Sequence, residues 1–231
     1  MIDFHSHILP EMDDGSESVE MSLAMLRESK RQGVDLICST SHFYADEEDP
    51  ASFLRRRSEA YGRLAAAMEN PKEYPRILLG AEVLYFPGIS VAEEVRGLML
   101  KGTLFLLVEP PMMQWSDTML DEVEDCGKTF HCIPVIAHID RYMRILDDYT
   151  LFDRIRGRKL LIQVNASFFI HRDTRDFALE CLQEDRFQMI GSDCHNMDDR
   201  CPNMGDAASV IREAGLSTVF TKFNERLYQV L

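Results

Sequence analysis

Pairs of residues that could bind a metal ion lie near both ends of the sequence. His5 and His7 are separated by one residue, and so are Asp193 and His195. Because residues i and i+2 of an extended segment point to the same side, each pair can present two side chains to one ion. A single histidine in a soluble protein is more often a surface group, so these pairs need further ligands before they predict a metal site.

Further candidate ligands follow other apolar segments of the chain. Seven short apolar runs predict β-strands, namely Ile2–Phe4, Asp35–Ser39, Ile77–Ala81, Leu104–Val108, Pro134–Ala137, Leu160–Val164 and Met189–Ser192. Six of these runs end in a side chain that can bind a metal, and the sixth run ends only in Asn165. Together with one acid of the first loop, the candidate ligands are His5, His7, Asp14, His42, Glu82, Glu109, His138, Asp193 and His195. The remaining histidines, His131 and His171, are expected on a helix or loop surface.

Segments with helical periodicity separate the predicted strands. The clearest is Val19–Gln32, which Gly33 ends; Ser116 is predicted to cap a second helix, and Asp173 or Thr174 a third. Further helices are expected at Ala51–Glu69, Ser90–Lys101, Ile145–Arg156 and Asn203–Ala214. This alternation predicts an α/β fold of parallel strands, and seven strands at this length favour a closed or nearly closed barrel. An open doubly wound sheet has the same alternation, but no glycine-rich nucleotide signature follows the first strand. We expect one domain over residues 1–231.

The carboxyl ends of parallel barrel strands form the active-site face, so the nine candidates are predicted to converge on one rim. Carboxylates and imidazoles at this density would be costly to bury without cations. Nine ligands are too many for one ion, so two or three are expected. Imidazole mixed with carboxylate, without thiolate spacing, favours Mn²⁺, Fe²⁺ or Zn²⁺. Closely spaced divalent ions favour hydrolysis, most naturally of a phosphate ester.

Two arginines follow candidate ligands and sharpen this prediction. Arg141 lies three residues after one of them, and Arg200 lies five residues after another. Guanidinium groups bind phosphate oxygens in bidentate pairs. A surface ion pair of Arg200 with Asp198 or Asp199 is the ordinary alternative. Both arginines beside the same rim favour an oxyanion substrate.

The composition excludes several classes of protein. The chain has 25 basic and 39 acidic residues, a formal net charge of −14, which argues against a sequence-independent nucleic-acid partner. No apolar run approaches the roughly 20 residues of a membrane span, and the N-terminus lacks a secretory signal pattern. Six cysteines without a CxxC pair are expected to be free thiols in a reducing compartment. We therefore expect a cytoplasmic protein without membrane insertion.

Cys194 and Arg200 have the C-x5-R spacing of cysteine-dependent tyrosine phosphatases. That chemistry needs a glycine-rich loop that wraps the phosphate and a thiolate of low pKa. Here the loop is His-Asn-Met-Asp-Asp, with no glycine and two acids that would repel phosphate. We therefore do not expect Cys194 to be a nucleophile.

Six segments, in order, resemble the polymerase and histidinol phosphatase (PHP) superfamily: MIDFHSHILPEMDDGS, STSH, GAEVLY, VEPP, IAHIDRY and GSDCHN. Within it they are most similar to the CpsB-like bacterial tyrosine phosphatases encoded with capsule and exopolysaccharide genes. The resemblance implies a distorted seven-stranded (β/α) TIM-like barrel with three divalent ions, usually Mn²⁺. It also implies a tyrosine-phosphorylated bacterial autokinase, which controls polysaccharide synthesis, as the substrate.

The resemblance assigns a role to each candidate residue. Asp14 is chosen over Asp13 because it directly precedes the family's glycine, here Gly15. Arg141 and Arg200 match the phosphate-binding arginines. The implied metal ligands are His5, His7, Glu82 and Asp193 for the first ion, Glu82, Glu109 and His138 for the second, and Asp14, His42 and His195 for the third.

The expected reaction is attack on the phosphotyrosine phosphorus by a hydroxide that bridges two metals. A histidinol-phosphate phosphatase of the PHP type, or another small phosphoesterase, would use the same metal chemistry. A nuclease is poorly supported by the acidic charge, and an amidohydrolase often has a carbamylated lysine where this chain has Glu109. A non-catalytic PHP module would typically have lost some of these residues. A homo-oligomer is compatible with the sequence, which leaves the oligomeric state open.

Overall fold

The computed structural model describes all 231 residues, and parallel strands alternate with helices along most of the chain. The strands are β1 Ile2–Ser6, β2 Leu36–Ser39, β3 His42–Phe43, β4 Arg76–Leu79, β5 Glu82–Leu84, β6 Phe105–Glu109, β7 Ile133–Ile136, β8 Leu161–Asn165 and β9 Met189–Gly191. The α-helices are α1 Val19–Arg31, α2 Pro50–Ala67, α3 Asp117–Phe130, α4 Ile139–Leu146, α5 Leu151–Ile155, α6 Ser167–Ile170, α7 Arg172–Gln183, α8 Met204–Glu213 and α9 Ser217–Tyr228. Three 3₁₀ helices span Pro71–Glu73, Ile89–Val91 and Glu93–Leu98.

The strands form a curled parallel arrangement of two sheets. One sheet has the order β1-β2-β4, and the other has the order β3-β5-β6-β7-β8-β9. The outer edges of these sheets meet through main-chain hydrogen bonds. The Asp193 amide donates to the His5 carbonyl at 2.8 Å, and the His7 amide donates to the Cys194 carbonyl at 2.9 Å. The carboxyl ends of β1 and β9 are thereby held side by side.

The predicted parallel α/β class is confirmed, but the strand count is wrong. All seven predicted runs contain a strand, and two further strands, β3 and β5, bring the total to nine. The ladder of one sheet stops before residues 40–41 and 80–81, and the chain then joins the other sheet at His42 and Glu82. Seven uninterrupted barrel strands are therefore not observed, because the short strands β3 and β5 follow the second and third predicted strands and pair in the other sheet.

Most predicted helices form, and the exceptions have local causes. Ser116 caps α3 as predicted, through a 3.1 Å hydrogen bond from the Met119 amide. Thr174 does not cap a helix, because α7 begins at Arg172 and the Thr174 hydroxyl donates to the Phe168 carbonyl. Asp173 also lies inside α7. The other two exceptions are the segment 90–101, which forms 3₁₀ helices, and the segment 145–156, which is interrupted at Asp147, where φ is +49°.

Apolar side chains pack on both faces of the strands. A cluster of 11 buried residues includes alternate residues of β1, β2, β6 and β7, as expected for one face of each strand. A second cluster of 50 buried residues includes the apolar faces of the helices that cover the strands. No helix combines the length and the apolar character that a membrane crossing requires. The packed strands therefore form a rigid support for the loops at their carboxyl ends.

Candidate metal centre

The structure brings all nine candidate ligands together at the carboxyl ends of the strands. His5 lies in β1 and His7 just after it, while His42 and Glu82 begin the two additional strands. Ligand atoms lie within 4.8 Å of one another in four groups: His7, Asp14, His42 and His195; His5, Glu82 and His138; His5, His7 and Asp193; and His42, Glu82 and Glu109. This is the convergence that the sequence predicts.

Glu82 occupies the middle of the cluster. Its Oε2 atom lies 3.0 Å from His5 Nε2 and 3.2 Å from both His7 Nε2 and His42 Nδ1. Its Oε1 atom lies 2.7 Å from His138 Nε2. One carboxylate thus faces four imidazoles, an arrangement compatible with the bridging role that the family resemblance implies.

The grouping differs in detail from the three implied ligand sets. His5, His7 and Asp193 lie together, as do Asp14, His42 and His195. Glu109, however, is grouped with His42 and Glu82, whereas its Oε1 atom lies 3.6 Å from His138 Nε2. The structure therefore brings the predicted residues into one cluster without dividing them into the expected sets.

Hydrogen bonds behind the cluster orient several imidazoles. His5 Nδ1 lies 3.2 Å from Gln163 Oε1, and His7 Nδ1 lies 2.8 Å from Asp13 Oδ2. His195 Nδ1 lies 2.9 Å from a backbone carbonyl. Partners of this kind fix the tautomer, so the Nε2 lone pair of each ring is directed into the cluster.

Asp13 anchors the loop from behind, while Asp14 reaches the cluster. Besides its contact with His7, the Asp13 carboxylate accepts hydrogen bonds from the amides of His42 and Gly15, at 2.8 and 3.0 Å. Asp14 Oδ1 lies 3.3 Å from His195 Nε2. The two adjacent aspartates therefore have different positions, and the sequence alone indicated no role for Asp13.

Two glycines allow the main chain to approach the first histidine pair closely. A Cβ atom at Gly191 would lie 2.4 Å from His5 Cβ, and one at Gly15 would lie 2.5 Å from His7 Cβ. Real atoms do not approach so closely, so both positions require glycine. Two candidate ligands also adopt backbone conformations that are rare outside glycine, with φ of +29° at His138 and +53° at Asp193. Such conformations concentrate at functional sites.

Burial and charge set the pKa values of the cluster. Burial lowers the pKa of His42 to about 4, so its imidazole is neutral at physiological pH. Burial disfavours the charged form of Glu82, but the neighbouring His5 and His138 outweigh it and lower its pKa well below the usual value. Burial, reinforced by the Glu82 charge, raises the pKa of Glu109 to about 7. Burial disfavours the charged forms of His5 and His7, but the neighbouring carboxylates outweigh it and raise the pKa of both. Metals bind neutral imidazole and ionised carboxylate, so a bound cation would displace protons from these rings.

The residues present fit divalent cations. The buried His42 Nδ1 atom makes no hydrogen bond, although it lies 3.2 Å from Glu82 Oε2 and 3.6 Å from Glu109 Oε2. A buried imidazole nitrogen that faces two carboxylates without a hydrogen bond is unfavourable within the protein. The same nitrogen and the two carboxylates are suitable ligands for a metal ion. The donor set contains imidazole and carboxylate without thiolate, which suits Mn²⁺, Fe²⁺ or Zn²⁺.

The two predicted arginines lie at the same rim and contact candidate ligands. Arg141 forms an ion pair with Asp193, and Arg200 Nη2 lies 3.1 Å from Asp193 Oδ1. Arg200 Nη1 also lies 3.4 Å from Asp14 Oδ2. The alternative pairing of Arg200 with its sequence neighbours does not hold, because Asp198 makes no such pair and Asp199 accepts from the Asn196 amide at 2.9 Å.

A cavity of about 520 Å³ opens beside the cluster. Asn165, which ends the sixth predicted strand, lines it and donates to Asp193 Oδ2 at 3.0 Å. Gln163, which the sequence analysis missed, donates to Asn165 Oδ1 at 3.0 Å. Two polar side chains at alternate positions of an apolar strand were the signal that could have revealed this support. Arg144 also lines the cavity and was missed.

Cys194, His131 and His171 belong to none of the four groups of candidate metal ligands. Cys194 is fully buried, and burial raises the pKa of its thiol well above the usual value. It therefore lacks the exposed thiolate that a cysteine-dependent phosphatase needs, as predicted. His131 and His171 are exposed. All six cysteines are free, also as predicted.

Comparison with known proteins places this geometry in context. Residues 1–224 match the family model described as capsular polysaccharide synthesis, CpsB/CapC. The chain is 31% identical over 245 residues to the tyrosine-protein phosphatase CpsB of Streptococcus agalactiae, covering 100% of this chain and 98% of that relative.

Solved structures share the fold. One belongs to a study of YwqE from Bacillus subtilis and CpsB from Streptococcus pneumoniae, described as unique metal-dependent tyrosine phosphatases. It aligns with a TM-score of 0.86 and 24% identity, over 100% of this chain and 94% of that one. A histidinol phosphate phosphatase from Lactococcus lactis, complexed with zinc, L-histidinol and phosphate, aligns with a TM-score of 0.54 and 16% identity, over 93% of each chain.

Proposed function

The chain belongs to the CpsB/CapC family of capsular polysaccharide synthesis proteins, and on that premise we propose that it is a metal-dependent protein tyrosine phosphatase. The observation that carries this proposal is the convergence of nine imidazoles and carboxylates, with two arginines, on one rim beside a cavity. The relative from Streptococcus agalactiae, which matches over the full length, is named a tyrosine-protein phosphatase. Geometry and similarity thus support the same activity.

We propose three divalent ions bound by the nine candidate ligands, with Mn²⁺ favoured and Fe²⁺ or Zn²⁺ as the alternatives that the same donors suit. When bound, such ions supply a hydroxide nucleophile at neutral pH and positive charge next to the phosphoryl group. Glu82 lies between four imidazoles and is the residue we assign as the bridging ligand. Asp13 and Gln163 hold the imidazoles of His7 and His5 in the orientation that binding requires.

Arg141 and Arg200 bind the phosphate oxygens in this proposal. Both guanidinium groups reach the rim, and their side chains are 26% and 36% exposed, so a substrate can contact them. Their planar donors match the geometry of phosphate oxygens and stabilise the charge that these gain during transfer. The tyrosinate leaving group, with a phenol pKa of about 10, needs less protonation than a serine alkoxide.

The architecture and setting complete the proposal. We infer one domain over residues 1–231 and a distorted barrel, supported by the hydrogen bonds that join His5 and His7 to residues 193–194. The family description supports a role in capsular polysaccharide synthesis. We propose a tyrosine-phosphorylated autokinase as the partner and the cytoplasm as the location.

A substrate panel tests this function. The Mn²⁺-loaded protein is assayed with a phosphotyrosine peptide, the same peptide with phosphoserine, and histidinol phosphate. We expect the phosphotyrosine peptide to have the highest kcat/KM, and Cys194→Ser to leave that value unchanged. Fastest turnover of histidinol phosphate would instead identify the protein as a histidinol-phosphate phosphatase. No turnover of any phosphoester at full metal loading would indicate a non-catalytic module.

A further inference from the structure

Arg144 is the third arginine that lines the cavity beside the metal centre. It lies on α4 three residues after Arg141, so the two side chains share a face of the helix. Unlike Arg141 and Arg200, which both contact Asp193, Arg144 is exposed and has no hydrogen bond or ion pair to the protein. Its guanidinium is therefore available to a ligand in the cavity.

The acids of the cavity are already engaged. Asp140 accepts a hydrogen bond from the Asn165 amide at 2.8 Å, and Asp193 pairs with both of the other arginines. Asp199 accepts from the Asn196 amide group at 2.9 Å. None of them contacts Arg144. The cavity thus presents one guanidinium that no acid of the cavity contacts and that an incoming anion can reach.

The rest of the cavity is suited to part of a peptide. Its volume of about 520 Å³ lies in the range of sites that hold ligands much larger than a phosphate group. Ser167 and Asn203 offer neutral polar groups, and Ile145, 57% exposed, offers an apolar surface. A phosphorylated side chain that reaches the metal centre would place its neighbouring residues in this cavity.

We propose that Arg144 binds a second anionic group of the substrate, next to the phosphotyrosine in the peptide. A carboxylate or a second phosphate has the same chemistry here, because either accepts a bidentate contact from a guanidinium. Arg144 is thus a specificity-determining residue, which favours acidic or multiply phosphorylated segments. This inference rests on the proposed phosphatase function.

Four substrates separate this role from phosphate binding. They are p-nitrophenyl phosphate, a phosphotyrosine peptide with neutral neighbours, the same peptide with glutamates on both sides, and the same peptide with a second phosphotyrosine. Wild type and Arg144→Gln are compared at full Mn²⁺ loading. The matched control is Arg76→Gln, because Arg76 is an exposed arginine at the opposite, amino edge of the sheet.

We expect the wild type to prefer the anionic peptides, and R144Q to lose about fivefold in kcat/KM on them, mainly through KM. R144Q should match wild type on p-nitrophenyl phosphate and the neutral peptide, and R76Q should match it on all four. If R144Q loses kcat/KM on the glutamate peptide, the bound group is a carboxylate. If it loses kcat/KM on the doubly phosphorylated peptide, the bound group is a phosphate.

Four outcomes would overturn the inference. An equal loss on all four substrates would make Arg144 a ligand of the scissile phosphate. A preference that survives R144Q, or its absence from the wild type, would exclude a second-anion site while leaving the phosphatase function intact. A wild type inactive on every phosphotyrosine substrate would contradict the proposed function and this inference with it.

Discussion

The metal centre has two halves that differ in how they are held. The inner half, defined here as His5, His7, Glu82 and Asp193, is almost completely buried, and Asp193 is 6% exposed. The outer half, defined as Asp14, His42, Glu109 and Arg200, is more open, because the side chains of Asp14 and Arg200 are 62% and 36% exposed. Those of His42 and Glu109, at 11% and 10%, lie between these two and the buried floor. The inner half is fixed by strand ends and packed main chain, whereas the outer half includes loop residues at the entrance. The difference places a buried metal-binding floor beneath a rim that a substrate can reach.

Removal of the central inner carboxylate should have the largest effect. Glu82→Gln keeps the shape of the side chain but loses the charge that faces four imidazoles. We expect metal content to fall and kcat/KM on a phosphotyrosine peptide to drop roughly 10³-fold, because about 4 kcal/mol of transition-state stabilisation is lost with the metal that this carboxylate holds. Elemental analysis and steady-state kinetics check this. Glu225→Gln, at an exposed glutamate on α9, is the control, and an active, fully loaded E82Q would contradict the inner half's role.

A methyl group added at Gly191, where the main chain packs against His5, should have the next largest effect. Gly191→Ala places a Cβ atom 2.4 Å from His5 Cβ and 2.7 Å from its backbone nitrogen. We expect a loss of about 1–3 kcal/mol in the free energy of unfolding, measured by urea titration, because backbone and not a flexible side chain must move.

A helical glycine provides the matched control for this substitution. Gly62, within α2, has no atom within 4 Å of its would-be Cβ, so Gly62→Ala should stabilise the protein by up to about 1 kcal/mol. Equal stability changes for the two variants would mean that the strand ends of the inner half are not tightly packed.

An outer substitution should affect activity without affecting the fold. Asp14→Asn alters a carboxylate that is 62% exposed and lies 3.3 Å from His195 Nε2. We expect one ion fewer per chain and a loss of about 10- to 100-fold in kcat/KM, while the urea midpoint of the metal-free protein stays at the wild-type value. If D14N removes as much metal as E82Q, the two halves do not bind independently.

The smallest effect concerns an acid behind the inner half. Burial raises the pKa of Asp3 to about 6 from an ordinary 3.8, although its Oδ1 atom accepts hydrogen bonds from the amides of Ser192 and His5. A carboxyl whose pKa is higher in the folded state favours folding when protonated. Its contribution to stability therefore decreases as pH rises from about 4 to above 6, by on the order of 1–3 kcal/mol.

Urea titrations of the metal-free protein between pH 4 and pH 7.5 check this. Asp3→Asn should remove this part of the pH dependence, so that wild type loses more stability than the variant as pH rises. Parallel curves for the two proteins would show that Asp3 does not titrate in this range.

The sequence predicts the metal ligands of the inner half better than the residues that hold those ligands in place. His5, His7 and Asp193 could be placed because strand ends are visible as apolar runs and parallel strands share one active-site face. The change of sheet at residues 40–41 and 80–81, which creates β3 and β5, could not be predicted, because it depends on the tertiary pairing of each segment. The roles of Asp13 and Gln163 also depend on tertiary packing, which brings each one behind a particular imidazole.

The outer rim is less accessible to prediction for a further reason. The sequence indicated Arg141 and Arg200 as anion-binding residues, but their contacts with Asp193 form only in the folded chain. Arg144 looked like an ordinary helix-surface residue, because only the cavity beside it distinguishes it from other exposed arginines.

Metal dependence of phosphotyrosine hydrolysis tests the central claim most directly. The protein is stripped with a chelator, assayed on a phosphotyrosine peptide, and assayed again after Mn²⁺ is restored, with Cys194→Ser in parallel. We predict that activity falls to background without metal and returns with Mn²⁺, equally in both proteins. Activity that survives complete metal removal, or that disappears in C194S while metal content is unchanged, would contradict the account.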